Sequence, residues 1–209
     1  MGSRAMNNFD DNAKRWTDVA KGAVNIPVRA KAFKRLLKGL PVTSILEAGC
    51  NMGFNLMAIK TLGNYELYGS DLSDYAIEHA VCPPDIKLTC CDFAKSEYQD
   101  NSVDMVLMCG LLNWLHYDEL EPVIKRAFEI SRKYILLIDH FHPPDSFPKL
   151  SQDAICNLEY LVCNQGKPMF WIRDFEKHFK RCTKVYRRDK IPELSDIFPM
   201  GAILYKKED

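Results

Sequence analysis

Apolar residues along the chain follow two rhythms. Short, nearly continuous runs recur at Ser44–Ala48 (SILEA), Tyr65–Asp71 (YELYGSD), Lys87–Asp92 (KLTCCD), Val103–Cys109 (VDMVLMC) and Tyr134–Asp139 (YILLID). Runs of this length predict strands, and the almost wholly apolar Val103–Cys109 predicts a central parallel strand buried on both faces. Between them lie amphipathic stretches predicting helices over 53–62 and 73–80. A third begins at Asp118, where Asp118 and Glu121 fit a capping box with Pro122 in the first turn. Its apolar stripe is Leu120, Val123, Ile124, Ala127 and Phe128. Ahead of the first strand, Asp10–Lys21 reads as a helix. A second carries Phe33, Leu36, Leu37 and Leu40 on one face and ends at Gly39 and Pro41.

After the fifth strand the rhythm changes. Pro143, Pro144 and Pro148 mark a loop, Ser151–Cys163 reads as an inserted helix, and Asp174–Arg181 as a short one. Thr183–Lys190 and Gly201–Lys207 read as two late strands. Strand–helix units closed by a strand pair predict an α/β fold, mainly parallel with an antiparallel edge. The chain's 209 residues suit one large domain. We expect a tag remnant (Met1–Ala5, before Met6) and a helical cap over 1–42, and one domain over 43–209 with an inserted segment at about 143–171.

Composition narrows the function classes. Lys+Arg and Asp+Glu are both 28, so no global charge draws the chain to nucleic acid or an anionic membrane. The basic run 184–190 (KVYRRDK) reads as the solvated face of an edge strand. No stretch approaches the roughly 20 apolar residues of a membrane span, and residues 1–10 lack the apolar core of a secretion signal. The eight cysteines form no CxxC pair, which predicts free thiols in a reducing cytoplasm and no metal site.

The chemistry concentrates at the ends of the first three strands. Residues 45–55 (ILEAGCNMGFN) turn from strand to helix through glycines that let the backbone approach a ligand closely. Glu47 is an acceptor beside that turn. Asp71 ends the second strand, where a carboxylate can accept from both hydroxyls of a ribose; its structural alternative is a helix N-cap, with Ser73 as rival. Asp92, followed by Phe93, ends the third. A carboxylate there can accept from an exocyclic amine and a ring can cover a purine; taken alone, a turn aspartate beside a core phenylalanine fits better, but acids at three successive strand ends favour the ligand reading. The loop lacks GxGxxG spacing, which disfavours a nicotinamide-dependent oxidoreductase.

The order LEAGCNMGFN, LYGSDLS, CD and VDMVLMCGLL resembles class I S-adenosylmethionine (SAM)-dependent methyltransferases. The resemblance implies a Rossmann-like, seven-stranded, mainly parallel sheet with helices on both faces and an antiparallel C-terminal edge. It implies that the first loop, with Glu47, Gly49, Cys50, Asn51 and Gly53, holds the methionyl part of SAM. Asp71 and Leu72 would meet the ribose, Asp92 and Phe93 the adenine, while Cys109, Gly110 and Leu111 would floor the sulfonium. Asn51 stands where the family commonly has glycine. More narrowly, GCNMGFN, GLLNWLHYDEL, KYILLIDHFHPP and RDF resemble methyltransferases associated with pseudaminic acid biosynthesis. This implies a small-molecule acceptor, a nonulosonate or other sugar intermediate.

Methyl transfer to a hydroxyl or ammonium requires alignment and removal of a proton, which suits histidine. His116 follows the fourth strand; His140 and His142 follow the fifth. We take His140 as the base and Asp139 as its orienter, against the alternative of a loop histidine satisfied by main chain. His79 and His178 read as surface residues. Arg15 with Trp16, and Trp171 with Arg173, could cover the cofactor carboxylate or substrate, or simply pack. By analogy with the fold, the inserted segment would form a substrate lid. Other readings are a different natural-product acceptor and a SAM-binding protein without catalysis.

Overall fold

The computed structural model describes residues 14, 17–18, 25–140, 159–164, 167–173, 175–180, 182–188, 191–194 and 200–208, with the main chain alone at 159–173, 177 and 192. The chain divides into two compact units, Met1–Glu97 and Tyr98–Asp209.

In the first unit, helix α1 (Ile26–Leu36) leads into strand β1 (Ser44–Ala48), α2 (Phe54–Lys60), β2 (Glu66–Asp71), α3 (Asp74–Glu78) and β3 (Lys87–Cys90). Asn25 caps α1 by accepting the Val28 N–H at 3.1 Å, and Pro27 in the first turn needs no donor there. Phe33, Leu36 and Leu37 of the predicted stripe are buried, together with Ala32, while Leu40 is half-buried. Strands β1, β2 and β3 pair in parallel, placing Glu47 opposite Gly69, Ala48 opposite Ser70 and Asp71 opposite Cys90. Their C-terminal ends therefore share one edge.

The second unit holds β4 (Val103–Cys109), α4 (Tyr117–Ile130), β5 (Ser131–Asp139), β6 (Glu159–Asn164), β7 (Lys167–Arg173), β8 (Cys182–Arg188) and β9 (Gly201–Lys207). Strands β4 and β5 are parallel; β9 pairs antiparallel with β5, and β8 with β9. The sheet is mixed and seven-stranded, in the order β3-β2-β1 within the first unit and β4-β5-β9-β8 within the second. The fold is thus the Rossmann-like α/β fold with an antiparallel C-terminal edge. Strand β8 carries residues 184–188 of the basic run and is mostly exposed.

Several elements depart from the sequence-based expectation. Helix α4 starts at Tyr117, not after Asp118: His116 takes the cap position and its N–H donates to Glu119 Oε2 at 2.7 Å. Pro122 consequently lies inside the helix rather than in its first turn. The expected helix over 151–163 is instead, in its described part, strand β6, which pairs antiparallel with β7 as a separate hairpin. Aromatic and branched residues in Tyr160–Val162 favour extended backbone once a partner strand is available. The Asp174–Arg181 helix is reduced to a 3₁₀ turn over Phe175–His178.

Candidate functional site

The loop joining β1 to α2 alternates in handedness. Gly49, Asn51 and Gly53 have φ of 70°, 49° and 79°. Asparagine tolerates this region better than other side chains, which explains how Asn51 replaces the expected glycine. The loop is pinned to β2: Gly49 and Cys50 both donate their N–H to Ser70 O, at 2.8 and 2.9 Å, and Asn51 N–H donates to Asp71 Oδ2 at 2.7 Å. Asn51 Oδ1 accepts Met52 N–H at 2.8 Å, while its Nδ2 donates to Thr17 Oγ1 at 3.1 Å. A Cβ on Gly53 would fall 2.2 Å from Cys82 Sγ, so this corner admits glycine alone. The Cys50 thiol is buried, and burial pushes its pKa well above the ordinary value; its backbone N–H ties the loop to β2, and its Sγ donates to Asn51 O at 3.5 Å.

Glu47 is 1% exposed. Its Oε1 accepts from Asn55 Nδ2 at 2.6 Å, and Asn55 Oδ1 accepts from Arg29 Nη1 at 2.6 Å. A guanidinium can only donate, so it fixes the Asn55 carbonyl toward itself and leaves the amide N–H for Glu47. Glu47 Oε2 is buried with no hydrogen-bond partner. Burial pushes the Glu47 carboxyl up to about 8, with the Asn55 hydrogen bond and the Arg29 charge opposing and the Asp71 charge adding. Asn55 and Arg29 were not singled out from sequence. Asn55 lay in the GCNMGFN motif, but nothing in the spacing of Arg29 marked it.

Asp71 spends one oxygen on Asn51 N–H and the other on Ser73 N–H, at 2.9 Å. Burial raises its pKa, and N–H groups of Ser73, Asn51 and Leu72 oppose the shift. Ser73 is the N-cap of α3, its Oγ accepting Ala76 N–H at 3.2 Å, so the capping role belongs to Ser73 and not to Asp71. Leu72 is 54% exposed, an apolar side chain presented beside the strand end. Asp92 caps a 3₁₀ turn by accepting Ala94 N–H at 3.1 Å and pairs with Lys95 at 3.0 Å. Phe93 is 6% exposed, so its ring belongs to the core and does not offer a face to a purine.

In the second unit β4 ends at half-buried Cys109, followed by Gly110, with φ 67°, and half-buried Leu111. Gly110 N–H donates to Ile138 O at 2.8 Å, and a 3₁₀ turn, Leu112–Trp114, follows. Asp139 is fully buried. It accepts His140 N–H at 2.8 Å and Asn113 N–H at 3.3 Å, joining the chain after β5 to the turn after β4. These contacts hold main chain, so Asp139 clamps the two loops together. Asn113 is 1% exposed, and its Oδ1 is buried without a hydrogen-bond partner. Strand β7 lies against this turn. His116 is an exposed cap residue, with Nδ1 3.4 Å from Asp118 Oδ2. His178, expected at the surface, has a side chain only 9% exposed, edge-on to Tyr117. His142, Arg15, Trp16 and the side chains of Trp171 and Arg173 lie outside the described residues. Among those described, no three His, Cys, Asp or Glu side chains could hold a metal ion, and no helix is long and apolar enough to cross a membrane.

Residues 45–133 match the family model described as a methyltransferase domain. No curated protein matches the chain. Solved structures with the same fold include a chain of the complex between the Haloferax volcanii Trm112 methyltransferase activator and a methyltransferase (14% identity; 96% of this chain and 97% of that one covered; TM-score 0.68). A second is the Burkholderia thailandensis 1,6-didemethyltoxoflavin-N1-methyltransferase with bound 1,6-didemethyltoxoflavin and S-adenosylhomocysteine (14%; 97% and 85%; 0.66). A third is the glycopeptide N-methyltransferase MtfA complexed with SAM (12%; 86% and 94%; 0.65). Residues 45–133 thus match a methyltransferase domain, and the chain has the fold seen in S-adenosylmethionine-dependent methyltransferases.

Proposed function

We propose that this chain is a SAM-dependent methyltransferase that transfers the methyl group to a hydroxyl or amine of a polar small molecule, a nonulosonate or related sugar intermediate. The observation that carries the cofactor site is Glu47 Oε2, a carboxylate oxygen buried without a partner beside a loop of left-handed residues. Such an oxygen fits a cationic ligand group, since native buried acceptors are otherwise satisfied. In this reading Glu47 faces the cofactor's ammonium, and the main chain of Gly49, Cys50, Asn51 and Gly53 lines its methionyl part. Asp71 takes the ribose hydroxyls, with Leu72 covering the nucleoside and Asp92 accepting from the adenine amine. Asn51 and Ser73 donate to different oxygens of Asp71, and a carboxylate has further acceptor capacity for a ribose hydroxyl.

Bound SAM supplies an activated methyl on a sulfonium that leaves as a neutral thioether. The chain then has to orient the acceptor and take its proton. We assign that proton transfer to His140, a reading supported by Asp139 at the end of β5, which accepts the main-chain N–H groups of His140 and Asn113. The sugar acceptor is supported by the resemblance of GCNMGFN, GLLNWLHYDEL, KYILLIDHFHPP and RDF to pseudaminic acid-associated methyltransferases. Two structural neighbours act on a toxoflavin precursor and on glycopeptides, which favours, as second reading, a nitrogen of another natural product. Incubation with SAM and either CMP-activated pseudaminic acid or a panel of heterocyclic amines, with products read by mass, separates the two. Methylated sugar supports the proposal; methylation of amines alone overturns it. On the productive acceptor, His140→Ala is expected to lower single-turnover transfer by roughly 10²–10⁴-fold with SAM affinity intact.

A further inference from the structure

Glu47 is isolated in an instructive way. One oxygen is held, the other is not, and the residue is sealed from water at 1% exposure. An ionised carboxylate in such a place lacks both solvation and a counterion, a state that buried acids avoid by keeping their proton. Its neighbours decide how far this goes. Arg29 on α1 is the cation that favours charge, acting through Asn55 on α2. Asp71 on β2 opposes it. Cys50 in the loop and Cys82 after α3 both feel the Glu47 charge and remain thiols. The balance leaves the ligand-free carboxyl protonated near neutral pH, with its O–H on the oxygen that lacks a partner.

From this arrangement we infer that Arg29, Asn55 and Glu47 form a proton-releasing seat for the cofactor's cationic end, so that each cofactor molecule bound sends one proton from Glu47 to solvent. The inference rests on the cofactor reading above. When an ammonium arrives at Oε2, it supplies the counterion that burial withheld. The O–H bond breaks, the proton leaves to water, and the carboxylate keeps the electron pair to accept N–H donors from the ligand. Arg29 and Asn55 are positioning residues: they hold Oε1 and leave Oε2 facing the ligand. Cofactor affinity then rises with pH, because free enzyme must lose a proton that bound enzyme has already lost.

The test is calorimetric titration of the whole chain with S-adenosylhomocysteine in buffers of different ionisation enthalpy, between about pH 6 and about 7.5. This window lies below the usual titration of α-amino groups at about 7.7–8.0. Wild type is expected to release close to one proton per ligand, with affinity rising by up to about tenfold per pH unit. Glu47→Gln should bind with no net release and a flat pH profile. Arg29→Leu, by removing the favourable cation, should move the pH of half-release upward, a shift that a merely structural residue would not produce. Binding by wild type without proton release overturns the inference while sparing the cofactor reading, and so does a Glu47→Gln variant that still releases a full proton. No binding by wild type overturns both. The wild-type buffer comparison does not depend on any variant folding.

Discussion

At the scale of single residues, Asp71 joins two tasks. Its oxygens hold the main-chain N–H groups of Asn51 and Ser73, and the same carboxylate is the one assigned to the cofactor ribose. Asp71→Ala is therefore expected to lower both stability and cofactor affinity. Each charge-assisted hydrogen bond lost is worth about 1.5–3 kcal/mol. Ser73→Ala is the control: loss of a true N-cap should cost about 1 kcal/mol and leave cofactor affinity unchanged, by thermal unfolding and calorimetry side by side. Equal affinity losses in the two variants would contradict the division of labour. The acids at positions 47, 71 and 92 were legible in sequence because strand ends in an α/β sheet are predictable from the apolar runs. The link from Arg29 through Asn55 to Glu47 was not, because it depends on side-chain direction across 26 and 8 residues. Phe93 was misread for a related reason: sequence gives a ring's place in the chain but not the side toward which it packs.

Among elements, legibility followed burial. Strand β4 begins and ends where predicted because six of its seven residues are buried and any shift would expose them. Strand β5 starts three residues earlier than predicted. Its opening Ser131-Arg132-Lys133 looks polar, yet Arg132 serves the sheet by donating to Asp104 at 3.1 Å and to the carbonyls of Asn101 and Ser102. Hairpin β6–β7 was missed because a short apolar run is compatible with either period, and pairing decided the outcome. At α4 two acids compete for a capping box, and the structure uses Glu119 with His116. Glu119→Ala is expected to cost about 0.5–1 kcal/mol of stability, and Glu121→Ala less, since only the former holds an N–H of the cap. Thermal unfolding of the two variants checks the order, and a larger loss for Glu121→Ala would restore the sequence-based start.

At the scale of the whole molecule, one buried carboxyl makes stability depend on pH. The folded chain holds the Glu47 proton up to about pH 8, whereas an unfolded chain releases it near the ordinary glutamate value of 4.5. Its contribution is full below 4.5 and is lost as pH rises toward about 8. Ligand-free wild type should therefore lose stability relative to Glu47→Gln across this range, at a slope of at most about 1.4 kcal/mol per pH unit. Saturating S-adenosylhomocysteine should flatten that difference. Denaturant unfolding of both proteins along a pH series tests this, and parallel curves in the ligand-free state would contradict it.

The most direct test of the central claim is equilibrium binding of S-adenosylhomocysteine and NAD to the purified chain, each in the presence of a chelator. The account requires one molecule of S-adenosylhomocysteine bound per chain, lost on Asp71→Ala, with no comparable affinity for NAD. Tight NAD binding with no binding of S-adenosylhomocysteine would contradict it.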